Sequence, residues 1–481
     1  MKTYVISIDQ STTSTKVFLM DTKGNIIKET AKKHKQIYPE NGWVEHDAME
    51  IYQNMMDCLH QILHTINQED EVLGICLTNQ RETTVIWDMD SGLPLYHAIV
   101  WQCRRTIPIC ESLKAYETIV EEKTGLKIDP YFSATKLKWL LNHVDTPVEK
   151  IMAGTMDSWL LYKLCGKHVC DHTNASRTLL YHLKDKKWDD ELLKIFDIPK
   201  CILPEIVYSD GNFGSVEIDG RVIPILSVIG DSQSALYAHQ AFKLGDVKVT
   251  MGTGSSVMMN LGKQLPEHHG GVVGALAYHT TKKDAYAGEA IINASADTLN
   301  WLRDDLGLYE KDQMLNDISM NAHGVYLVPA FVGLGIPYWM SRAKACISGI
   351  SRNTTKTDIV VAGMQSIAYQ IYDAICALEE NADISATRIS ADGGASKNPA
   401  LMQFLADICD KDIITYKQSA FSAFGVYLLG LQKLGYACDD LQKIDQIYHP
   451  KMDKETRMRY IEGWKQAVDV VVYDADKRGA L

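Results

Sequence analysis

No stretch of this 481-residue chain reads GxxxxGK[ST], none reads HRD, and no GxGxxG stands between a strand and a helix. The commonest phosphate-binding and protein-kinase folds are therefore set aside. Disulfide and metal frameworks are missing too. The eleven cysteines are scattered singly, with no CxxC and no Cys/His ligand spacing, and they read as small buried hydrophobes of a reducing compartment. No apolar run approaches the roughly 18 residues of a membrane span, and the start Met1-Lys2-Thr3-Tyr4-Val5-Ile6-Ser7 enters a strand rather than a signal peptide. The expectation is a cytoplasmic protein with no membrane partner. The formal net charge is −12, and Lys and Arg form no long basic stripe, which argues against a nucleic-acid partner.

What is present is ample core material, 46% hydrophobic against 23% charged, in a chain longer than one core usually organises. Tyr4–Asp9, Lys16–Asp21 and Ile26–Glu29 follow at hairpin spacing across Lys23-Gly24-Asn25. A helix over 48–66 and a buried strand Val72–Leu77 come next, then a hairpin around Asp88–Gly92, and helices dominate 106–195. The second half opens at Gly245–Leu261 with its own strand-turn-strand. Helices are expected near 289–305 and 357–380, with a strand at Arg388–Ala391 between later helices. The pattern is mixed α/β in two domains, 1–238 and 239–481.

Two short turns, Gln10-Ser11-Thr12-Thr13-Ser14 and Gly252-Thr253-Gly254-Ser255, open these halves. Gly/Ser/Thr turns ordinarily just close a hairpin, but they also gather N–H groups and hydroxyls on one side, where anionic oxygens bind. The pairing points to an old duplication with one nucleotide between the halves. Phosphoryl transfer to an alcohol needs a base at the hydroxyl, a metal at the phosphates, and donors that keep the groups in line. Asp231, directly after the apolar strand Ser227–Gly230, is the candidate base, and a helix-capping Asp is the alternative. Asp9 ends the first strand, where a carboxylate holds Mg²⁺ through its water shell or simply forms a turn. Arg81 and Glu82 pair a donor fork with an acceptor, suited to adjacent hydroxyls, or form a solvated ion pair.

Several segments are more specific. Asp9–Ser14, Gly42-Trp43-Val44-Glu45-His46-Asp47, Thr78–Thr84, Trp101-Gln102-Cys103-Arg104-Arg105, Ile128–Ser133, Thr173–Thr178, Gly333–Trp339 and Asp392-Gly393-Gly394-Ala395 together resemble the FGGY family of sugar and polyol kinases, in order and over nearly the whole chain. The match is strongest to its glycerol-phosphorylating members. The resemblance implies two actin/hexokinase-like (ribonuclease H-like) ATPase domains with mixed sheets and a cleft between them. It further implies ATP and Mg²⁺ as cofactors, a small polyol or sugar as substrate, and a homodimer or tetramer. On this basis Asp231 meets the attacking hydroxyl, and Arg81, Glu82, Trp101 and Tyr131 line the polyol pocket. Thr12, Thr13, Ser14 and Lys16 face the β and γ phosphates, with Thr253 opposite. Ala296, Asn300, Gly394 and Asn398 fall at adenosine positions.

The departures cluster at the substrate. Ser232 and Ser256 stand where glycerol-phosphorylating members carry Gln and Phe; both changes remove bulk, and room plus hydroxyls would suit an acceptor of four or five carbons. Lys16 replaces the usual Arg, Ala296 and Asn300 replace the usual Gly and Gln, and Ser11 replaces a Gly, which matters if that turn needs φ > 0. The expected function is ATP-dependent phosphorylation of a terminal hydroxyl of glycerol or a close polyol, with a larger polyol or ketose as the rival acceptor. A conformational ATPase of the actin or chaperone kind has no need for the Arg81-Glu82, Trp101 and Tyr131 set. A sugar-sensing regulator would need a basic helix-turn-helix ahead of the first strand.

Overall fold

A computed structural model describes residues 1–479, apart from 264, 266–270, 311–314, 316, 317 and 341. The chain divides into two compact units. The first comprises Met1–Gln240, Gly274–Tyr286 and Ala420–Gln442; the second comprises Ala241–Val273, Ala287–Ser419 and Lys443–Leu481. Two short returns of the chain thus complete the first unit, and no shift in composition marks them.

The first unit is built on β1 (Thr3–Gln10), β2 (Ser14–Asp21), β3 (Ile26–Lys33), β4 (Glu71–Asn79), β5 (Ser215–Ile218) and β6 (Arg221–Gly230). Their spatial order is β5-β6-β4-β1-β2-β3. The β1/β2 and β2/β3 pairs are antiparallel, whereas β1, β4 and β6 run parallel. Ile6, Ile8, Ile75, Leu77 and Val228 are fully buried, as strands covered on both faces require. Helix α1 (Ala48–Leu63) turns Ile51, Met55, Cys58, Leu59 and Ile62 onto this core at helical spacing, and Asp47 caps it by accepting the N–H of Met49. Helix α2 (Asp231–Ala238) leaves the end of β6, and α3 (Phe421–Lys433) packs against it.

The second unit repeats the scheme. β9 (Val273–His279) falls almost wholly in the return Gly274–Tyr286 that belongs to the first unit; the strands of the second are β7 (Asp246–Met251), β8 (Ser255–Gly262), the greater part of β10 (Asp284–Ile292), β11 (Arg388–Gly393), β12 (Ile413–Tyr416) and β13 (Ile444–Tyr448), in the order β10-β8-β7-β11-β12-β13. As in the first unit, the opening strand pairs antiparallel with the next and parallel with a later one. The strand-turn-strand expected at each opening is therefore the start of one repeated sheet. One expectation differs: the helix anticipated from 289 is the second half of β10, followed by a short helix Asp297–Asn300 and one wide turn to Asp305. Ala and Glu favour helix in isolation, but burial of Ala287, Glu289 and Ala290 in a sheet overrides that preference. Among the described residues only the helix Lys356–Ala382 is long and apolar enough to cross a membrane, and its apolar stretch is 78% buried in the protein.

Candidate active site

Register brings the first group of candidates together. Asp9 lies beside Lys16 on β2 and Thr78 on β4, Thr78 lies beside Ile229 on β6, and Asn79 has Gln10 and Gly230 as its neighbours. The carboxyl ends of three parallel strands therefore converge, the usual place for a ligand in a sheet of this kind. Asp9, next to last in β1, has no hydrogen-bond donor on its carboxylate among the described residues. Desolvation, helped by the charge of Asp231 and opposed by Lys16, pushes its pKa up to about 7.

Asp231 opens α2. Its Oδ1 accepts from Arg81 Nε at 3.1 Å and from the Ser232 N–H at 2.7 Å, while Oδ2 has no partner among the described residues. The side chain is 33% exposed, so one oxygen is fixed and the other is open. The residue preceding the helix, Gly230, gives no side-chain cap; its N–H is held instead by Thr173 Oγ1 at 2.9 Å. Arg81 also donates to Gln233 Oε1 at 3.3 Å. The Arg81-Glu82 pair is not solvated. Arg81 is 5% and Glu82 2% exposed at the side chain, and Glu82 takes Arg177 Nε at 2.6 Å with its backbone in the left-handed region at φ 60°.

Arg177 and Thr173 stand in the segment Thr173–Thr178 with no role legible from the sequence alone, yet they carry this side of the site. Thr173 donates to Asp171, whose carboxylate also takes the Ser209 hydroxyl and the N–H groups of Thr173 and Asn174. Lys136 is a further buried group. Its ammonium donates to the carbonyls of Tyr131 and Phe132, the latter at 3.0 Å, and burial lowers its pKa to about 7 against the opposing charge of Glu82. An Asx-Pro-Tyr-Phe turn followed by Lys five residues after the Tyr was the available sequence signal.

The first turn is tied to the aromatic pair. Trp101 Nε1 donates to Thr12 Oγ1 at 3.0 Å, and its ring lies 5.4 Å from that of Tyr131. His34 and Gln36 both reach the Thr12 carbonyl, at 2.8 and 3.0 Å. Behind them Gln36, His46, Gln80 and Gln10 form a buried chain, in which desolvation and the neighbouring His34 hold His46 down to about 3, a neutral ring. The turn closes through Ser11 N–H to the Ser14 carbonyl at 2.9 Å, with Thr12 and Thr13 at its tip. Ser11 lies outside the left-handed region, so replacing Gly there stores no strain.

In the second unit Met251 lies beside Gly393, so the turn 252–254 and Gly394 share one end of the sheet. The Thr253 carbonyl takes the Ser295 N–H at 2.9 Å, and that of Gly252 takes the Ala296 N–H at 3.1 Å. Gly254 is obligatory, since a Cβ would stand 2.6 Å from the Ile292 carbonyl oxygen. Gly394 faces open space. Asn398 Oδ1 caps the helix Pro399–Cys409, and Asn300 Oδ1 accepts from Arg303, so each keeps only part of its amide for a ligand. The Ser256 hydroxyl is engaged: it donates to Glu289 Oε1 at 3.0 Å and accepts from Lys248 Nζ at 3.3 Å. That position offers reduced bulk, with its hydroxyl already paired.

The donor set fits the expected groups. A carboxylate with no donor among the described residues, beside a second carboxylate, suits a hydrated divalent cation; among the described residues no cluster of three or more His, Cys, Asp or Glu forms a direct metal cage. The turns offer hydroxyls and N–H groups to phosphate.

Comparison with known proteins identifies the family. Residues 4–238 match the N-terminal domain of the FGGY family of carbohydrate kinases and residues 247–433 match its C-terminal domain. The chain is 42% identical to glycerol kinase 1 of Thermotoga maritima, covering 97% of this chain and 99% of that one. It is 41% identical to the glycerol kinase of Staphylococcus epidermidis, covering 97% and 98%. The crystal structure of Plasmodium falciparum glycerol kinase with ADP superimposes with a TM-score of 0.92 at 33% identity, covering 98% of each chain.

Proposed function

The chain belongs to the FGGY family of carbohydrate kinases, and from that premise we propose that it transfers the terminal phosphoryl group of ATP to a terminal hydroxyl of glycerol or a close polyol, in the cytoplasm. The observation that carries the reading is the half-engaged Asp231 carboxylate. Arg81 and the Ser232 N–H fix Oδ1, so Oδ2 keeps one direction and accepts the acceptor's proton. As the acceptor oxygen bonds to the γ-phosphorus, the bond from that phosphorus to the ADP oxygen breaks and the hydroxyl proton passes to Oδ2. The gain is positional and electrostatic rather than covalent.

Trp101 and Tyr131 cover the acceptor's carbon atoms, and Arg81 and Glu82 meet its hydroxyls. Trp101 also fixes Thr12, which couples the polyol pocket to the phosphate turn through one hydrogen bond. Thr12, Thr13, Ser14 and Lys16 face the phosphates, joined by Thr253. Ala296, Gly394 and the free parts of Asn300 and Asn398 receive the adenosine. Asp9 would hold Mg²⁺, and the ion would disperse charge on the phosphate oxygens.

A second acceptor reading rests on Ser256. With bulk absent and its hydroxyl paired to Glu289 and Lys248, the position admits a longer carbon chain. The test is ADP release across glycerol, erythritol, the pentitols, dihydroxyacetone and the ketopentoses, compared as kcat/KM. Glycerol leading supports the first reading; a four- or five-carbon acceptor leading selects the second; ADP release that ignores every acceptor refutes both.

A further inference from the structure

Backbone polarity decides whether a turn can receive an anion, because a carbonyl aimed at a phosphate repels it and an N–H attracts it. The peptides of Ser11–Ser14 are trans, so each carbonyl and the N–H of the next residue point opposite ways. Successive carbonyls of this turn are held by protein donors. That of Ser11 takes Gln10 Nε2 at 2.7 Å, that of Thr12 takes His34 Nε2 at 2.8 Å and Gln36 Nε2 at 3.0 Å, and that of Thr13 takes the His34 N–H at 3.3 Å. The N–H groups of Thr12, Thr13 and Ser14 are thereby turned away from those donors, and those of Thr12 and Thr13 meet no acceptor among the described residues.

The side chains behind the turn close into one circuit. Gln36 Oε1 takes His46 Nε2 at 2.9 Å, His46 Nδ1 takes Gln80 Nε2 at 3.3 Å, and Gln80 Nε2 also donates to Gln10 Oε1 at 3.3 Å. The far end is fixed where Gln80 Oε1 accepts the Thr83 hydroxyl at 3.0 Å. A carbonyl only accepts, so Gln10 and Gln36 present their amide nitrogens to the turn and their oxygens to the circuit, and His46 is neutral with its proton on Nε2. His34 Nε2 faces a carbonyl and carries its proton for the same reason. Gln10 and His46 are 0% exposed and Gln80 1%; reversing any member sets donor against donor in a buried site, so one arrangement is locked.

We propose that His34 and Gln36, the latter oriented by His46, are positioning residues that set the affinity of the first turn for the β and γ phosphates by keeping its carbonyls turned inward. The inference rests on the reading that Thr12, Thr13 and Ser14 face the phosphates of ATP. Both residues act through the backbone of Thr12 and Thr13, and the Thr12 carbonyl, with two donors, is the point where they meet. Their effect therefore falls on the phosphates of the nucleotide and not on its adenosine.

The test is calorimetric binding of adenylyl imidodiphosphate, a non-hydrolysable ATP analogue, and of AMP to the full-length protein in Mg²⁺. Three variants are compared with wild type. Gln36→Met keeps the length of a half-buried side chain and removes its donor. His34→Phe keeps a flat ring against His46, whose centre lies 4.6 Å away, and loses the Nε2 donor, whereas His34→Gln returns an N–H there. The expected result is a wild type that prefers the analogue to AMP, and about fivefold weaker binding of the analogue in Gln36→Met and in His34→Phe, the worth of one hydrogen bond. AMP affinity stays within about twofold throughout, and His34→Gln binds the analogue within about twofold of wild type. A wild type that binds the two ligands equally refutes the phosphate reading, and the proposal with it. Where wild type keeps its preference, unchanged analogue binding in both donor-less variants, an equal loss for AMP, or a His34→Gln as weak as His34→Phe overturns the positioning role alone.

Discussion

Replacing Glu82 by Gln keeps the shape of the side chain and removes one charge from a cluster that solvent barely reaches. Arg177 then keeps its guanidinium at 0% exposure, 5.2 Å from the Phe132 ring, having lost the carboxylate that took its Nε at 2.6 Å. Breaking a buried ion pair from one side costs about 3–5 kcal/mol, because the stranded charge has no water to turn to. For a unit of this size that is about 6–10 °C in Tm, at roughly 2 °C per kcal/mol. Arg81, 3.9 Å from the same carboxylate, loses one of its restraints on Asp231, so kcat/KM for the polyol falls about tenfold or more. Calorimetric unfolding and steady-state kinetics read the two effects separately. The double variant Glu82→Leu with Arg177→Met removes both charges and recovers much of the Tm, but not kcat/KM. A Tm loss in Glu82→Gln below about 1 °C, or a double variant less stable than the single one, refutes the reasoning.

The remaining predictions concern separate elements. Lys136, its pKa lowered by burial from 10.5 to about 7, binds its proton more weakly folded than unfolded, so it contributes stability above about pH 10.5 that is lost as pH falls through 7. Unfolding scans of wild type and Lys136→Met from pH 6 to 10 are expected to show a wild-type Tm that gains on the variant as pH rises; parallel curves contradict the assignment. Ser256→Phe refills the position and breaks the contacts to Glu289 and Lys248, so the ratio of kcat/KM for glycerol to that for the pentitols rises; an unchanged ratio removes Ser256 from the pocket. Asp47→Ala, which strips the cap from α1, costs about 1 kcal/mol in denaturant unfolding with kcat unchanged, and a loss of turnover at full stability would mean that Asp47 has a role beyond the cap.

The sheet openings were legible because β-branched and apolar runs broken by Gly/Ser/Thr turns leave few alternatives; Tyr4–Asp9 and Gly245–Leu261 lie where the strands form. The second half of β10 was not, since Glu289 and its alanines carry no local mark of a buried strand. Asp9, Arg81 and Asp231 were visible as polar residues at the ends of apolar strands. Arg177, Thr173 and Lys136 were not, because their roles come from partners 95, 57 and 5 residues away, each inside a segment that reads as ordinary helix or loop. Trp101 and Tyr131 read equally well as core, and it is the bond from Trp101 to Thr12 that ties them to the first Gly/Ser/Thr turn. The two returns that complete the first unit, Gly274–Tyr286 and Ala420–Gln442, are long-range events that no local pattern announces.

The most direct test of the account is the turnover of Asp231→Asn with its best acceptor at saturating ATP. The side chain keeps its size and a carbonyl oxygen for Arg81 and the Ser232 N–H, but it cannot take a proton at the open position. The account predicts a fall in kcat of at least about a hundredfold, with Tm close to wild type and the KM for ATP little changed. Turnover near that of wild type would contradict the placement of the base at Asp231.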